Sequence, residues 1–569
     1  MLQRHGLALL STLLLFACAP AVRPDLPAAS GSSAVSNPVR PASDNRTLVV
    51  AIRGEPASLS TKEWVEGLGL GNGKRFFNAH LAISDEREDF RPYLAETLPQ
   101  LNTDTWRVLP DGRMETTYRL KPNLTWHDGA PLTAEDFAFA HTVYATPELG
   151  QSRLIPQRYL EDVTAADART IVFRWRELFP DAGILSTDFE ALPRHLLEDT
   201  FRQGPLEVFG SLPYWTREFV GLGPYRVDRW EPGAFVIGNA FAGHVLGRPA
   251  IDRIEMRFIP DPNTVLANLL AGAVHVTLDR ALNFPQVPVL QGEFVGQKQG
   301  VLLLSPSNKR WTQVQFRPEV VSPRVLLDVR ARQALTHAID KEAVSVVVYE
   351  GQGAPMDSLL AFPYERWYPA IDRAVVKYPY DLRRTEQLMA ETGYMKGSDG
   401  FFSSPSEGRL TIEARISAGV QNEQELSVLA DGWRRAGFDI SERPYPVALS
   451  SDGQFRATFP GLLHNSAGGA MNSLAGSGIP RPENRWAGAN RGAWAEPDYD
   501  RLYNAFNTTL DVGQRTQQIA QMARLASEQL PVLPVVYDFT VVAHDGDLRG
   551  PKSGSPSANN WDAHEWRWQ

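Results

Sequence analysis

One stretch in the first third of the chain changes its period part-way along, and few folds accommodate that change. In METTYRLKPNLTWHDGAPLTAEDFAFAHTVY, residues 114–144, Met114, Thr116, Tyr118 and Leu120 alternate with Glu115, Thr117, Arg119 and Lys121. Period two predicts a strand with one buried face. Asp128-Gly129 then supplies turn chemistry, Thr133 followed three places on by Asp136 makes a capping-box start, and Phe137, Ala140 and Tyr144 recur at helical spacing. Strand, tight turn and capped helix in succession predict α/β architecture. The length adds a second constraint. At 569 residues the chain exceeds what one core holds, about 250–300 residues, so two or more lobes are required.

The same block resembles the WHDG-plus-helix signature of the family 5 extracytoplasmic solute-binding proteins, the peptide- and nickel-type receptors of ABC importers. Five further blocks resemble the family in order: GLGPYRV at 221–227, IPDPNTVLANLLAGAVHV at 259–276, DVRARQALTHAIDKEAV at 328–344, YDLRRTEQLMAETGY at 380–394 and EPDYDRLYNAF at 496–506. The resemblance implies an α/β, two-lobed, periplasmic-binding-protein-like clamshell with an extra small domain. Residues 47–77, 206–305 and 531–569 would form lobe I, 78–205 the small domain and 306–530 lobe II. The chain would cross between lobes near 301–316 and return along LPVLPVVYDFTVVAHDG, and two crossings are what a hinge needs. The block 328–344 would be one long helix, with Ala331, Ala334, Leu335 and Ala338 buried and Arg330, Arg332 and Lys341 solvated. Val274, Val276 and Leu278 alternate as a strand.

The N-terminal region reads as an export and anchoring device. Residues 1–17 carry Arg4 and an apolar run from Leu7 to Phe16, the layout of a secretory signal and too short to span a bilayer, which needs about 20 residues. The chain's one cysteine, Cys18, ends a Leu-Phe-Ala-Cys run that resembles a bacterial lipobox, where the thiol is acylated. The other reading is an ordinary secretory signal with an incidental cysteine. Residues 18–46 are rich in Pro, Ala and Ser and too poor in large apolar residues to fold, so they read as a lipidated flexible tether. A net charge of −9 argues against nucleic acid as the main partner.

Signatures of catalysis are missing: there is no HExxH, no GxSxG, no zinc-spaced cysteines and no Rossmann glycine pattern. The run GLGLGNGK fails as a phosphate loop, with Leu68 where its first glycine belongs and Arg75 where the hydroxyl is needed. His127 and Asp128 read as part of a turn. No cofactor and no directly bound metal are expected.

Ligand contacts are expected from TFPGLLHNSAGGAMNSLAGSGIPRPENRWAGANRGAW, 458–494, because long Gly-, Asn- and Trp-rich loops in compact domains carry function. Peptide-binding members of the family hold the ligand's amine with an aspartate in this region, and the resemblance puts Asn465-Ser466 in its place. Trp64, Trp311, Trp486 and Trp494 are candidates for lining the cleft, with core packing as the alternative. Arg485 either meets a ligand carboxylate or caps its loop, and Glu66 is the carboxylate positioned to replace the missing aspartate.

The expected function is therefore capture of a peptide or peptide-like solute outside the cytoplasmic membrane by a lipid-anchored monomer, and its delivery to an ABC permease. A secreted hydrolase, or a receptor or chaperone on the same scaffold, is the alternative.

Overall fold

The computed structural model describes residues 47–569 apart from 61–70, 150, 151, 153–155, 187, 188, 447, 448, 451, 468–470, 485 and 487. Leu48–Ile52 is a run of apolar residues buried on both faces, the composition of an interior parallel strand. It runs parallel to Arg253–Phe258 on one side and Val276–Thr277 on the other. These strands belong to an eleven-stranded sheet. Beyond Arg253–Phe258 the sheet continues antiparallel through Phe235–Ala240 to Tyr225–Glu231. Beyond Val276–Thr277 it continues through Val532–His544, Val301–Val314, Leu462–Ala467 and Thr411–Ser417 to Asp439–Tyr445.

Two long strands join the halves of this sheet. Val301–Val314 and Val532–His544 run antiparallel from Val301 opposite His544 to Gln313 opposite Val532, with register shifts between Pro306 and Asn308 and between Arg310 and Trp311. At one end His544 pairs with Val276. At the other, residues 309–314 pair with Leu462–Ala467. The chain thus passes twice between the halves of the sheet, along Val301–Val314 and Val532–His544.

The period-changing stretch builds a four-stranded antiparallel sheet of Trp106–Val108, Met114–Arg119, Thr170–Trp175 and Leu160–Asp167. Met114, Thr116 and Tyr118 are buried and Arg119 is exposed, as their alternation requires. Helix Ala134–Ala145 follows, with the Asp136 carboxylate accepting the Thr133 N–H at 2.8 Å and Phe137, Ala140 and Tyr144 buried. Between strand and helix, His127 braces the 221–223 loop. Its Nδ1 accepts the Gly221 N–H at 3.1 Å, so Nε2 carries the proton and donates to the Gly223 carbonyl at 3.0 Å. Burial holds the imidazole down to a pKa of about 4, so it is neutral. One apolar cluster connects this sheet to the central one, with Tyr118 and Phe173 in the same core as Val50 and Ile254.

The block 328–344 departs from expectation. It forms two helices, Val329–His337 and Lys341–Tyr349, and Asp340 caps the second by accepting the Ala343 N–H at 2.9 Å. Arg332 and Lys341 are not on a solvated face. Arg332 is 4% exposed and donates at 2.8 Å to the carbonyls of Gln529 and Leu326. Gln529 ends helix Val512–Gln529, whose final carbonyls lack intrahelical donors, and the guanidinium is buried because it supplies them. Lys341 Nζ donates to the Met356 carbonyl at 2.6 Å and to Asp357 Oδ1 at 2.7 Å. Arg330 alone of the three is well exposed, paired with Asp328. The strand anticipated at 274–278 is confined to Val276–Thr277.

Candidate ligand-binding site

Thr411–Ser417 runs parallel to both Asp439–Tyr445 and Leu462–Ala467. Parallel strands finish on one side, and the crevice outside their carboxyl ends is where open α/β sheets take ligands. A cavity of about 130 Å³ lies there, with Ser417, Tyr445, Asn465, Ser466, Asn422 and Arg456 in its wall. The Ser417 and Ser450 hydroxyls sit 3.0 Å apart, and the Asn422 amide donates to the Ser417 carbonyl at 3.0 Å. Asn465 is half-buried and pairs with Trp311 across the antiparallel register.

Arg310 and His464 also reach the cavity, and both are anchored to Glu425, which is 1% exposed. Arg310 Nε donates to Glu425 Oε2 at 2.7 Å, and its Nη2 donates to the same oxygen and to Asn422 Oδ1, the latter at 2.8 Å. The Tyr349 hydroxyl donates to Glu425 Oε1 at 2.5 Å. His464 Nε2 lies 2.9 Å from Oε2, and Nδ1 lies 2.9 Å from Thr312 Oγ1. A carboxylate only accepts, so Nε2 carries the proton and Nδ1 accepts from Thr312. Burial opposes ionisation of Glu425, but Arg310 and the bonds from His464 and Tyr349 outweigh it and hold its pKa to about 2. For His464 burial prevails over Glu425, so its pKa is lowered and the ring is neutral. The network is anchored on Glu425, whose 1% exposure keeps it from a ligand, so it forms the floor beneath the cavity.

The candidates singled out in the sequence divide three ways. Cys18, Trp64, Glu66 and Arg485 lie outside the described residues. Asn465 lines the cavity. Trp311 and Trp494 are 1% and 3% exposed, within an apolar cluster that includes Tyr499, Phe506 and Met522. Trp494 stacks edge-on against Tyr499 and donates from its indole to Gln529 Oε1 at 3.1 Å. The Trp311 indole N–H is buried with no acceptor among the described residues. Trp486 is half-buried with φ of 61°, and its carbonyl lies so near Gly453 that a Cβ there would come within 2.5 Å of it.

Arg310, Glu425, Tyr445, Arg456 and His464 escaped the sequence reading, although signals for two of them exist. Glu425 shares a helix face with Leu429 and sits beside Leu426 in a stripe otherwise apolar, where a charge demands a partner. His464 alternates with Leu462 on the inward face of its strand. Arg310 and Arg456 carry no comparable local mark.

Comparison with known proteins bears on the family and the fold. Residues 96–478 match the family described as bacterial extracellular solute-binding proteins, family 5 Middle. The oligopeptide-binding protein AppA of Bacillus subtilis is 22% identical over 419 residues, 72% of this chain and 71% of AppA. Heme-binding protein A of Haemophilus influenzae is 23% identical over 557 residues, 93% of this chain and 92% of that protein. The crystal structure of NikZ from Campylobacter jejuni in complex with Ni(L-His) superposes with a TM-score of 0.69 at 19% identity, covering 91% of this chain and 99% of NikZ. The match to the family covers well over half of the sequence, and the chain belongs to the bacterial extracellular solute-binding proteins of family 5.

Proposed function

We propose that this protein captures a peptide or peptide-like solute outside the cytoplasmic membrane and hands it to an ABC permease, with no bond made or broken. One observation carries the reading: a polar cavity at the carboxyl ends of three parallel strands, on the far side of a pair of strands that cross the sheet together. The pair would be the hinge. Residues 47–77, 206–305 and 531–569 would move as one lobe, 306–530 as the other, and 78–205 with the first, whose core it shares. Closure would bring the first lobe over the cavity and create the surface that the permease reads. The relatives include binding proteins for oligopeptides and for heme, so the peptide class rests on AppA among them. Titration calorimetry of the full chain against mixed tetrapeptides tests it. Saturable binding of one peptide per chain is expected, and turnover of the peptides into smaller products would instead indicate a hydrolase.

The anchor would be a lipid on Cys18. Cys18→Ser is expected to move the protein from the membrane fraction to the soluble exported fraction, and a wild type found soluble, starting at another residue, would contradict it.

A further inference from the structure

The cavity carries cations and no anion. None of its lining residues is Asp or Glu, and two are arginines. Arg310 is spent on Glu425. Arg456 is not: among the described residues its guanidinium meets no carboxylate. Its Nη1 donates to the Ser450 carbonyl at 2.9 Å, its guanidinium is hydrogen-bonded to the Tyr445 side chain, and its Nε is buried without an acceptor among the described residues. Arg491 stands close enough to Arg456 for the two charges to interact, and it too lacks a carboxylate; burial first and the Arg456 charge second push its pKa down to about 10. The backbone that carries both is pinned by a third guanidinium. Arg317 Nη1 donates at 2.6 Å to the carbonyls of Ala457 and Arg491, and Nη2 donates to that of Pro480 at 2.8 Å. Two half-buried cations that meet no carboxylate among the described residues are costly, and a guanidinium is the side chain whose fork fits an oxyanion.

We infer that this cavity receives an oxyanion of the solute, a carboxylate or phosphate group held by Arg456 beside Arg491 and the Ser417, Tyr445 and Asn465 side chains, and that it rejects an ammonium. The inference rests on the solute-capture reading and narrows it. The volume agrees: about 130 Å³ is the share of roughly four waters, enough for one terminal group and too small for a whole ligand, which fills about 300–1,000 Å³. Asn465 fits the same polarity. Its amide donates to an oxyanion, whereas an aspartate at this point would repel one.

Two kinds of probe separate this inference from the peptide reading. The first is a set of three tetrapeptide libraries followed by native mass spectrometry of the full chain: N-acetylated with a free carboxyl terminus, N-acetylated and amidated, and free-amine and amidated. The second is thermal unfolding with citrate, inorganic phosphate or chloride at matched ionic strength. The free-carboxyl library is expected to bind roughly 10- to 100-fold more tightly than its amide, the range of a charge-assisted bond. Citrate or phosphate is expected to raise the melting temperature of wild type and not of Arg456→Gln, the stronger of the two telling carboxylate from phosphate. If Arg456→Gln fails to fold, Asn465→Asp is read for the same loss of oxyanion stabilisation. Libraries that fail to bind while an Arg456-dependent citrate or phosphate effect persists would leave the oxyanion cavity standing and remove the peptide reading. Equal binding of acid and amide, a requirement for the free amine, or an oxyanion effect that Arg456→Gln leaves intact would overturn the inference.

Discussion

Glu425 accepts from Arg310, His464 and Tyr349 at a place that is 1% exposed, and removing one member of such a buried set strands the charge of another. Glu425→Gln is expected to cost about 3–5 kcal/mol, read as a lower urea midpoint with an unchanged slope. The double change Arg310→Met with Glu425→Leu, which removes both charges, is expected to cost less than Glu425→Gln alone; the reverse order would mean that the ion pair itself supplies the stability. Asn465 makes a different residue-scale point. Asn465→Asp sets a carboxylate near Arg456, so it is expected to weaken carboxylate-ended peptides and strengthen free-amine peptides, each by roughly 10- to 100-fold. The gain for the amine should fade as pH approaches the α-amino pKa of about 8, and calorimetry on free and N-acetylated versions of one peptide checks both signs. Asn465 was legible in the sequence because the resemblance puts it where the family's peptide-binding members carry an acid, and it lines the cavity. Arg456 was not, because its significance is that it meets no carboxylate among the described residues, and that is visible only in three dimensions.

Secondary elements were legible wherever their period was uninterrupted. Alternation located Met114–Arg119, and the capping-box start with Phe137, Ala140 and Tyr144 at helical spacing located helix Ala134–Ala145. The break at 338–340 was hidden because Ala338 and Ile339 continue the apolar stripe while Asp340 acts as a cap. Burial of Arg332 was hidden because its acceptor, the Gln529 carbonyl, is 197 residues away. The 221–223 loop gives an element-scale test. A Cβ on Gly223 would lie 2.4 Å from the Asn78 nitrogen and the Phe77 carbonyl carbon, so the backbone must shift and the bond from His127 Nε2 is lost. Gly223→Ala is expected to destabilise by about 1–3 kcal/mol, measured by chemical denaturation, whereas Gly233→Ala, which meets no atom within 4 Å but has φ of 73°, reports the cost of backbone conformation alone.

At the scale of the whole molecule, histidines that burial keeps neutral set the response to acid. Burial lowers the pKa of His127 to about 4 and of His244 to about 3, and it lowers those of His141, His464, His544 and His564 as well, from 6.5 in each case. Below pH 6.5 the unfolded chain takes up protons that the folded one refuses, so stability falls as pH drops toward the folded values. Each histidine contributes up to about 1.4 kcal/mol per pH unit in that interval. Glu425, depressed to about 2 from 4.5, adds a loss of the same sign below pH 4.5. Chemical denaturation between pH 7.5 and pH 4 is expected to show a steady decline beginning near 6.5, and a flat profile down to pH 5 would contradict it.

The proposed closure would turn about the two strands Val301–Val314 and Val532–His544, which among the described residues join the two halves of the sheet. Ligand capture by closure over the cavity at the strand ends then has a direct physical signature. Small-angle scattering of the full chain, stripped of solute by unfolding and refolding and then titrated with the small molecule that denaturation releases from the purified protein, reads it. The radius of gyration should decrease and level off at one solute per chain. Curves that superpose with the solute demonstrably bound would contradict capture by closure.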